Sequence, residues 1–271
     1  MKKFIVLIMI GFAPLFFWSC SNNNSNPVNP TTSNYFPLHT GNYWIYEKYT
    51  LDSANNQITT SLKIDSVYCT SISQDLINDS VQSVYTFSHY SSGMIDPEQK
   101  FYISNDKIYQ KYQIVPGIDL SALGINVNEY LNIDWLLLID QKNASWVSYP
   151  SKTIELPSIN FPTVGDVNIT LTLEFVGESK GIGTYVLNNK TISTKDYELD
   201  WNVSGTAKIP TLGNIAIPIP VFTLKTVYKL ADQIGIVSIK TDSKTVSIAG
   251  LTSFQFPGSE QNLIRYQIID K

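Results

Sequence analysis

Glu198 and Asp200, with Asp196 extending the row, are the residues of this chain whose types and spacing could most directly do chemistry. On an extended strand, positions i, i+2 and i+4 share one face. Two carboxyls about 5 Å apart serve a retaining glycosidase, and a wider pair serves an inverting one. The competing reading is a solvated acidic strand face, the commoner fate of such a row. A Ca²⁺ site would need convergent loop oxygens that a straight strand does not supply. The two histidines, His39 and His89, read as a turn residue and a strand residue, and no carboxylate stands at helical spacing from either, which makes a poor zinc pattern. Cys69 sits beside Tyr68 at a strand end and reads as a small buried hydrophobe rather than a nucleophile. Gly181-Ile-Gly183 is too short for a phosphate loop and precedes a strand rather than a helix. No Gly-x-Ser-x-Gly elbow occurs. Trp135, Trp146 and Trp201 could stack on sugars, or fill core and rim. The expectation is therefore no catalytic residue, no cofactor and no metal, with a carbohydrate-active enzyme as a remote alternative.

The elements that would position these residues are strands. Val167, Ile169, Leu171, Leu173 and Phe175 alternate with Asn168, Thr170, Thr172 and Glu174. Tyr197, Leu199, Trp201 and Val203 alternate with Glu198, Asp200, Asn202 and Ser204, and Phe222, Leu224, Tyr228 and Leu230 oppose Lys225 and Lys229. A period of two with one polar side predicts an antiparallel sheet wet on one face. Tyr43–Leu51 reads as the first strand. Further strands are expected at Ile58–Tyr68, Val81–Tyr90, Lys100–Ile103, Lys107–Ile114, Ile236–Lys240, Lys244–Ile248 and Asn262–Ile269. Turn signals at Asn55-Asn56, Asn105-Asp106, Pro116-Gly117, Asn188-Asn189 and Pro257-Gly258 separate strands, and Asn105-Asp106 predicts a tight hairpin. Ile118–Leu138 is the one stretch with room for a helical turn or two, against Gly124.

Composition agrees with an exported all-β body. Of 271 residues 43% are hydrophobic and 12% aromatic, enough for a packed core, while only 15% are charged. A net charge of −4 and a single arginine, Arg265, exclude the basic stripe of a nucleic-acid binder. Two segments interrupt the pattern: one carries Pro150, Pro157 and Pro162, the other Pro210, Pro218 and Pro220, and residues 209–224 hold no charge. Prolines are excluded from central strands, so both segments are expected as edges or loops at one rim, packed under the sheet or forming an apolar lip.

The N-terminus is organised for export. Lys2 and Lys3 precede an apolar run from Phe4 to Phe17, too short for a comfortable span and fitting a signal peptide. Phe17-Trp-Ser-Cys20 resembles the lipobox of bacterial lipoproteins, with Ser19 in the small position and bulkier residues before it. The resemblance implies cleavage before Cys20 and acylation of its thiol, which would hold the protein on a membrane. Loss of residues 1–19 removes two lysines and takes the charge from −4 to −6. Ser21–Asn34 holds six Asn and no charge and reads as a flexible tether of roughly 20 Å.

The body, residues 35–271, opens on Tyr35-Phe-Pro-Leu-His-Thr-Gly-Asn-Tyr-Trp-Ile-Tyr46. The pattern Phe-Pro-Leu-x-x-Gly-Asn-x-Trp-x-Tyr resembles the opening of a group of envelope lipoproteins of the Bacteroidetes type, and Gly183-Thr-Tyr185, Tyr228–Val237 and Leu263-Ile-Arg-Tyr266 resemble its later steps. That resemblance implies an all-β fold, a large curved antiparallel sheet similar to the half-barrel of lipoprotein carriers, and a place in the cell envelope; no Asp directly follows Cys20 to signal retention at an inner membrane, so the outer membrane is preferred. Two functions follow. The protein is a lipid-anchored module taking a lipid or other hydrophobic ligand in the concave face, or a structural lipoprotein with a filled core and an envelope protein partner. The concave face discriminates: a continuous apolar cavity of a few hundred Å³ favours the first.

Overall fold

Paired strands of alternating polarity account for nearly all of the regular structure, as the period-two pattern demands. The structure is a computed structural model and describes residues 33–91, 94–111, 128–131, 133–161, 165–248 and 252–269. The leader, Cys20 and the tether up to Thr32 lie outside the described residues. The strands are β1 (Tyr43–Leu51), β2 (Lys63–Ile77), β3 (Ser80–Ser91), β4 (Met94–Ser104), β5 (Lys107–Lys111), β6 (Trp135–Asp140), β7 (Ser145–Glu155), β8 (Ile159–Phe161), β9 (Gly165–Leu187), β10 (Lys190–Ile209), β11 (Ile215–Ala231), β12 (Gly235–Thr241), β13 (Lys244–Ile248), β14 (Thr252–Phe256) and β15 (Gly258–Gln267).

Thirteen of them form one antiparallel sheet in the order β6-β5-β4-β3-β2-β1-β15-β12-β11-β10-β9-β7, with β8 added on β9, while β13 and β14 make a separate hairpin. The sheet is a meander, interrupted where the first strand pairs with the last: Trp44 faces Tyr266, and Tyr46 faces Leu263. Its edges are β6 and β7, and among the described residues no ladder joins them. Side chains bridge the gap instead. The Trp146 indole and the Ser148 hydroxyl both donate to the Leu137 carbonyl. Tyr149 Oη and Lys152 Nζ reach the Leu131 carbonyl at 2.8 and 3.0 Å. Leu131 ends a single-turn helix, α1 (Asn128–Leu131), whose free C-terminal carbonyls are thereby satisfied.

The inward-facing residues form one main core, with Ile77, Val84 and Tyr102 in a separate small cluster. Val167, Ile169, Leu171, Leu173 and Phe175 of β9 and Tyr197, Leu199, Trp201 and Val203 of β10 are all buried, on the parity expected from sequence. The hairpins turn on residue pairs with positive φ at both positions: Asn105-Asp106 between β4 and β5, as expected, Asn188-Asn189 between β9 and β10, and Asn78-Asp79 between β2 and β3.

Several boundaries differ from expectation. Residues 59–61 form a 3₁₀ turn, so β2 starts at Lys63, and it runs on to Ile77. Its second half is too rich in Ser, Gln and Asp for a one-sided pattern to show. Within 118–138 the described part holds only the four residues of α1 before β6 begins at Trp135; Leu136-Leu-Leu138 is a strand, not a helical face. The proline expectation holds in part. Pro150 lies in the edge strand β7. Pro218 and Pro220 lie in β11, beyond the part that pairs with β12, so the missing N–H groups break no ladder on that side. Ile219 and Leu224 there are buried, whereas Ile215 and Val221 are exposed.

Candidate functional site

The opening segment both locks the sheet and walls a cavity. Gly41 takes φ +95°, a conformation that favours glycine, and turns the chain into β1. The fully buried Asn42 side chain donates to the Pro37 carbonyl at 2.9 Å and accepts from the Ile269 N–H at 2.8 Å, tying the first strand to the end of the chain. Trp44 Nε1 and Tyr46 Oη donate to the Ile234 and Ile236 carbonyls at 2.6 and 2.9 Å, so both rings are pinned against the segment that leads into and opens β12. Asn34 accepts from the Gln233 N–H in the turn before it. With their polar atoms thus satisfied, these aromatic bodies face inward.

They face a cavity of about 400 Å³ under the sheet. Phe36, Trp44, Phe87 and Phe101 form one wall, with ring centroids 5.3–5.9 Å apart along the chain of contacts. Phe175, Trp201, Leu199, Leu224 and Tyr228 form the opposite wall. The other side is polar: Lys48, Asp65, His89, Asp96, Gln99 and Gln261 line it. Strand register explains the division. Trp44 is opposite Val67, Tyr46 opposite Asp65 and Lys48 opposite Gln261, so one step along β1 and β2 carries the lining from apolar to polar. Val67 in turn faces His89 on β3, which faces Asp96 on β4.

Asp65 is the unusual member. It is 1% exposed, Oδ2 accepts from Gln261 Nε2 at 2.8 Å, and Oδ1 is buried without a partner. Asp140 provides the comparison, because it is equally buried. Asp140 accepts from the Asn143 side chain at 2.7 Å and from the backbone N–H groups of Lys142 and Asn143, with Lys107 at 3.5 Å. These donors outweigh its burial and hold its carboxyl below the usual carboxylate range. At Asp65 burial wins. Lys48, His89 and the Gln261 hydrogen bond only partly offset it, and the carboxyl is pushed up. The His89 ring is pushed the other way: burial disfavours its cationic form more than Asp65 and Asp96 favour it, and its Nε2 is likewise buried without a partner. The site thus holds a buried acceptor and an imidazole whose neutral form burial favours, at the wet end of an apolar chamber.

The residues singled out from sequence fall elsewhere. Glu198 and Asp200 do come together, but around Lys225, 2.9 and 3.6 Å from Nζ, on the strand face opposite Leu199 and Trp201, and neither lines the cavity. Lys180 adds a contact to Glu198 at 3.4 Å, and Asp196 pairs with Lys229 at 2.8 Å. Burial opposes ionisation of Glu198, yet the Lys225 and Lys180 contacts hold its carboxyl low. The row is thus ion-paired and only 13–24% exposed rather than solvated, and Asp200 Oδ1 is buried without a partner. Cys69 is buried in the core and its thiol is pushed up to about 11 by burial. His39 lies in the turn before β1. Trp146 and Trp201 are buried, and Trp135 packs edge-on against Tyr102 at 4.8 Å. Among the described residues no group of three potential metal ligands converges. Asp65 had no motif to mark it. The signal was parity alone: it shares a face with Val67 and Cys69, where an acid does not belong.

No family model matches the chain, and no curated protein matches it in sequence. Two solved structures overlap it loosely. One is a candidate lipoprotein from Parabacteroides distasonis, 11% identical with a TM-score of 0.36, covering 87% of this chain and 99% of that one. The other is a candidate exported protein with a YmcC-like fold from Bacteroides fragilis, 9% identical with a TM-score of 0.37 and the same coverage. Overlap this loose carries no argument about fold or function.

Proposed function

We propose that the protein is a lipid-anchored, non-catalytic component of the cell envelope that takes up the apolar part of an amphiphilic ligand beneath its sheet. The observation that carries this reading is the 400 Å³ cavity, walled by aromatic and aliphatic side chains and polar at one side. That volume falls within the range of small-molecule sites, which are mostly apolar with a few placed polar groups. Cys20 is the acylated residue in this reading, and the outer membrane is the location we prefer because no Asp directly follows that cysteine.

Native mass spectrometry of the protein purified from its own envelope tests the ligand. A co-purifying amphiphile in roughly one-to-one ratio is expected; its absence together with a stable protein partner overturns the reading in favour of a structural lipoprotein. The anchor is tested by intact mass. The mature chain should begin at Cys20 and carry acyl chains there, and an unmodified cysteine refutes the anchor.

A further inference from the structure

Asp65 Oδ1 and His89 Nε2 are buried polar atoms with no partner in the protein, both in side chains lining the one chamber. A buried acceptor without a donor costs free energy that folds avoid, as the fully satisfied Asp140 illustrates. Nothing nearby completes Asp65. The Tyr46 hydroxyl, on the opposing residue, is spent on the Ile236 carbonyl, and Gln261 already serves Oδ2. Among the described residues Lys48 forms no ion pair within 4 Å of any carboxylate. A donor for Oδ1 reaches it from the cavity, as water or as the headgroup of a ligand.

We infer that Asp65 and His89 form a headgroup site for an amphiphile with one apolar chain and a small headgroup that presents hydrogen-bond donors, a hydroxyl or an ammonium. This rests on the ligand-binding reading above and adds the class of ligand. The donor sits on Asp65 Oδ1, His89 Nε2 takes a second polar contact, and the chain lies between Trp44, Phe87 and Trp201. A carboxylate or phosphate headgroup would meet the buried Asp65 and, across from His89, Asp96, and Lys48 on the same side is the opposing cation against which the laurate arm of the test weighs them. The chamber's size suits a single chain of medium length.

The test is a competition. The whole chain, in detergent micelles, is offered equal amounts of dodecylamine, monolaurin and laurate, which share chain length and differ in headgroup. Native mass spectrometry reads the adducts. The expected result is that dodecylamine or monolaurin adducts exceed laurate adducts by roughly tenfold or more, the size of one hydrogen bond to a charged acceptor. The first two probes tell ammonium from hydroxyl. In Asp65→Asn the preference over laurate should fall by about the same factor while total occupancy of the cavity persists. Equal binding of all three probes, a preference for laurate, or an Asp65→Asn protein with unchanged preference overturns the headgroup site and leaves cavity binding standing. Failure of every probe to bind overturns both. The wild-type competition decides the matter even if the variant does not fold.

Discussion

Asp65 and Asn42 are both buried polar residues near the N-terminal strand, and they should respond to mutation in opposite directions. Asn42 has both ends of its amide satisfied, by Pro37 and Ile269. Asn42→Ala leaves those backbone groups without partners and should cost about 2–3 kcal/mol in urea unfolding. Asp65→Asn removes an uncompensated buried charge and should stabilise the protein at neutral pH by roughly 1–3 kcal/mol. The sign follows from proton linkage. The folded-state carboxyl is raised, so the native state holds its proton more tightly than the unfolded chain does. Stability attributable to Asp65 is therefore present at acid pH and is lost as pH rises through the unfolded and then the folded value. The variant's advantage should vanish below the ordinary carboxylate range and grow as pH rises through the raised folded value. Thermal unfolding of both proteins across that range checks it; a variant less stable at neutral pH would show that Asp65 is held by partners rather than left without them.

Among the elements, those legible in sequence were the ones with one wet face. Tyr43–Leu51 and Lys244–Ile248 coincide with β1 and β13, and the alternation in β9 and β10 gave the buried face correctly, because an antiparallel strand between core and water must alternate. What stayed hidden had a physical reason in each case. The far half of β2 sets exposed Ile72 and Leu76 among polar residues with no buried face, β6 is apolar on both faces, and β7 carries a proline that only an edge tolerates. The edge-to-edge meeting of β6 and β7 is tertiary and has no local signal. It depends on Trp146, whose indole lies over Gly177 on β9 so closely that a Cβ there would fall 2.0 Å from the ring. Gly177→Ala should displace the indole, break its hydrogen bond to Leu137 and cost about 1–3 kcal/mol. Faster amide exchange confined to β6 and β7 would locate the damage; uniform exchange would show that the two edges do not depend on this contact.

For the molecule as a whole the question is what occupies the chamber. The chamber communicates with solvent, so where no ligand is bound water occupies its polar side and reaches its aromatic walls. Sequence could suggest a concave face but not this volume, since it is set by how the two halves of the meander close around Phe36 and Trp44. Ile239 tests the point. It lines the cavity from β12, only partly buried, between Tyr228 and Gln261 on the neighbouring strands. Ile239→Trp should extend into open space, raise stability by roughly 0.5–2 kcal/mol as cavity-filling substitutions do, and reduce amphiphile adducts at least tenfold. A filled core predicts the reverse: the larger side chain would find no room and would destabilise the fold by about 1–3 kcal/mol. Thermal unfolding and adduct counting on the same preparation thus separate a protein built around a ligand from one built around its own side chains.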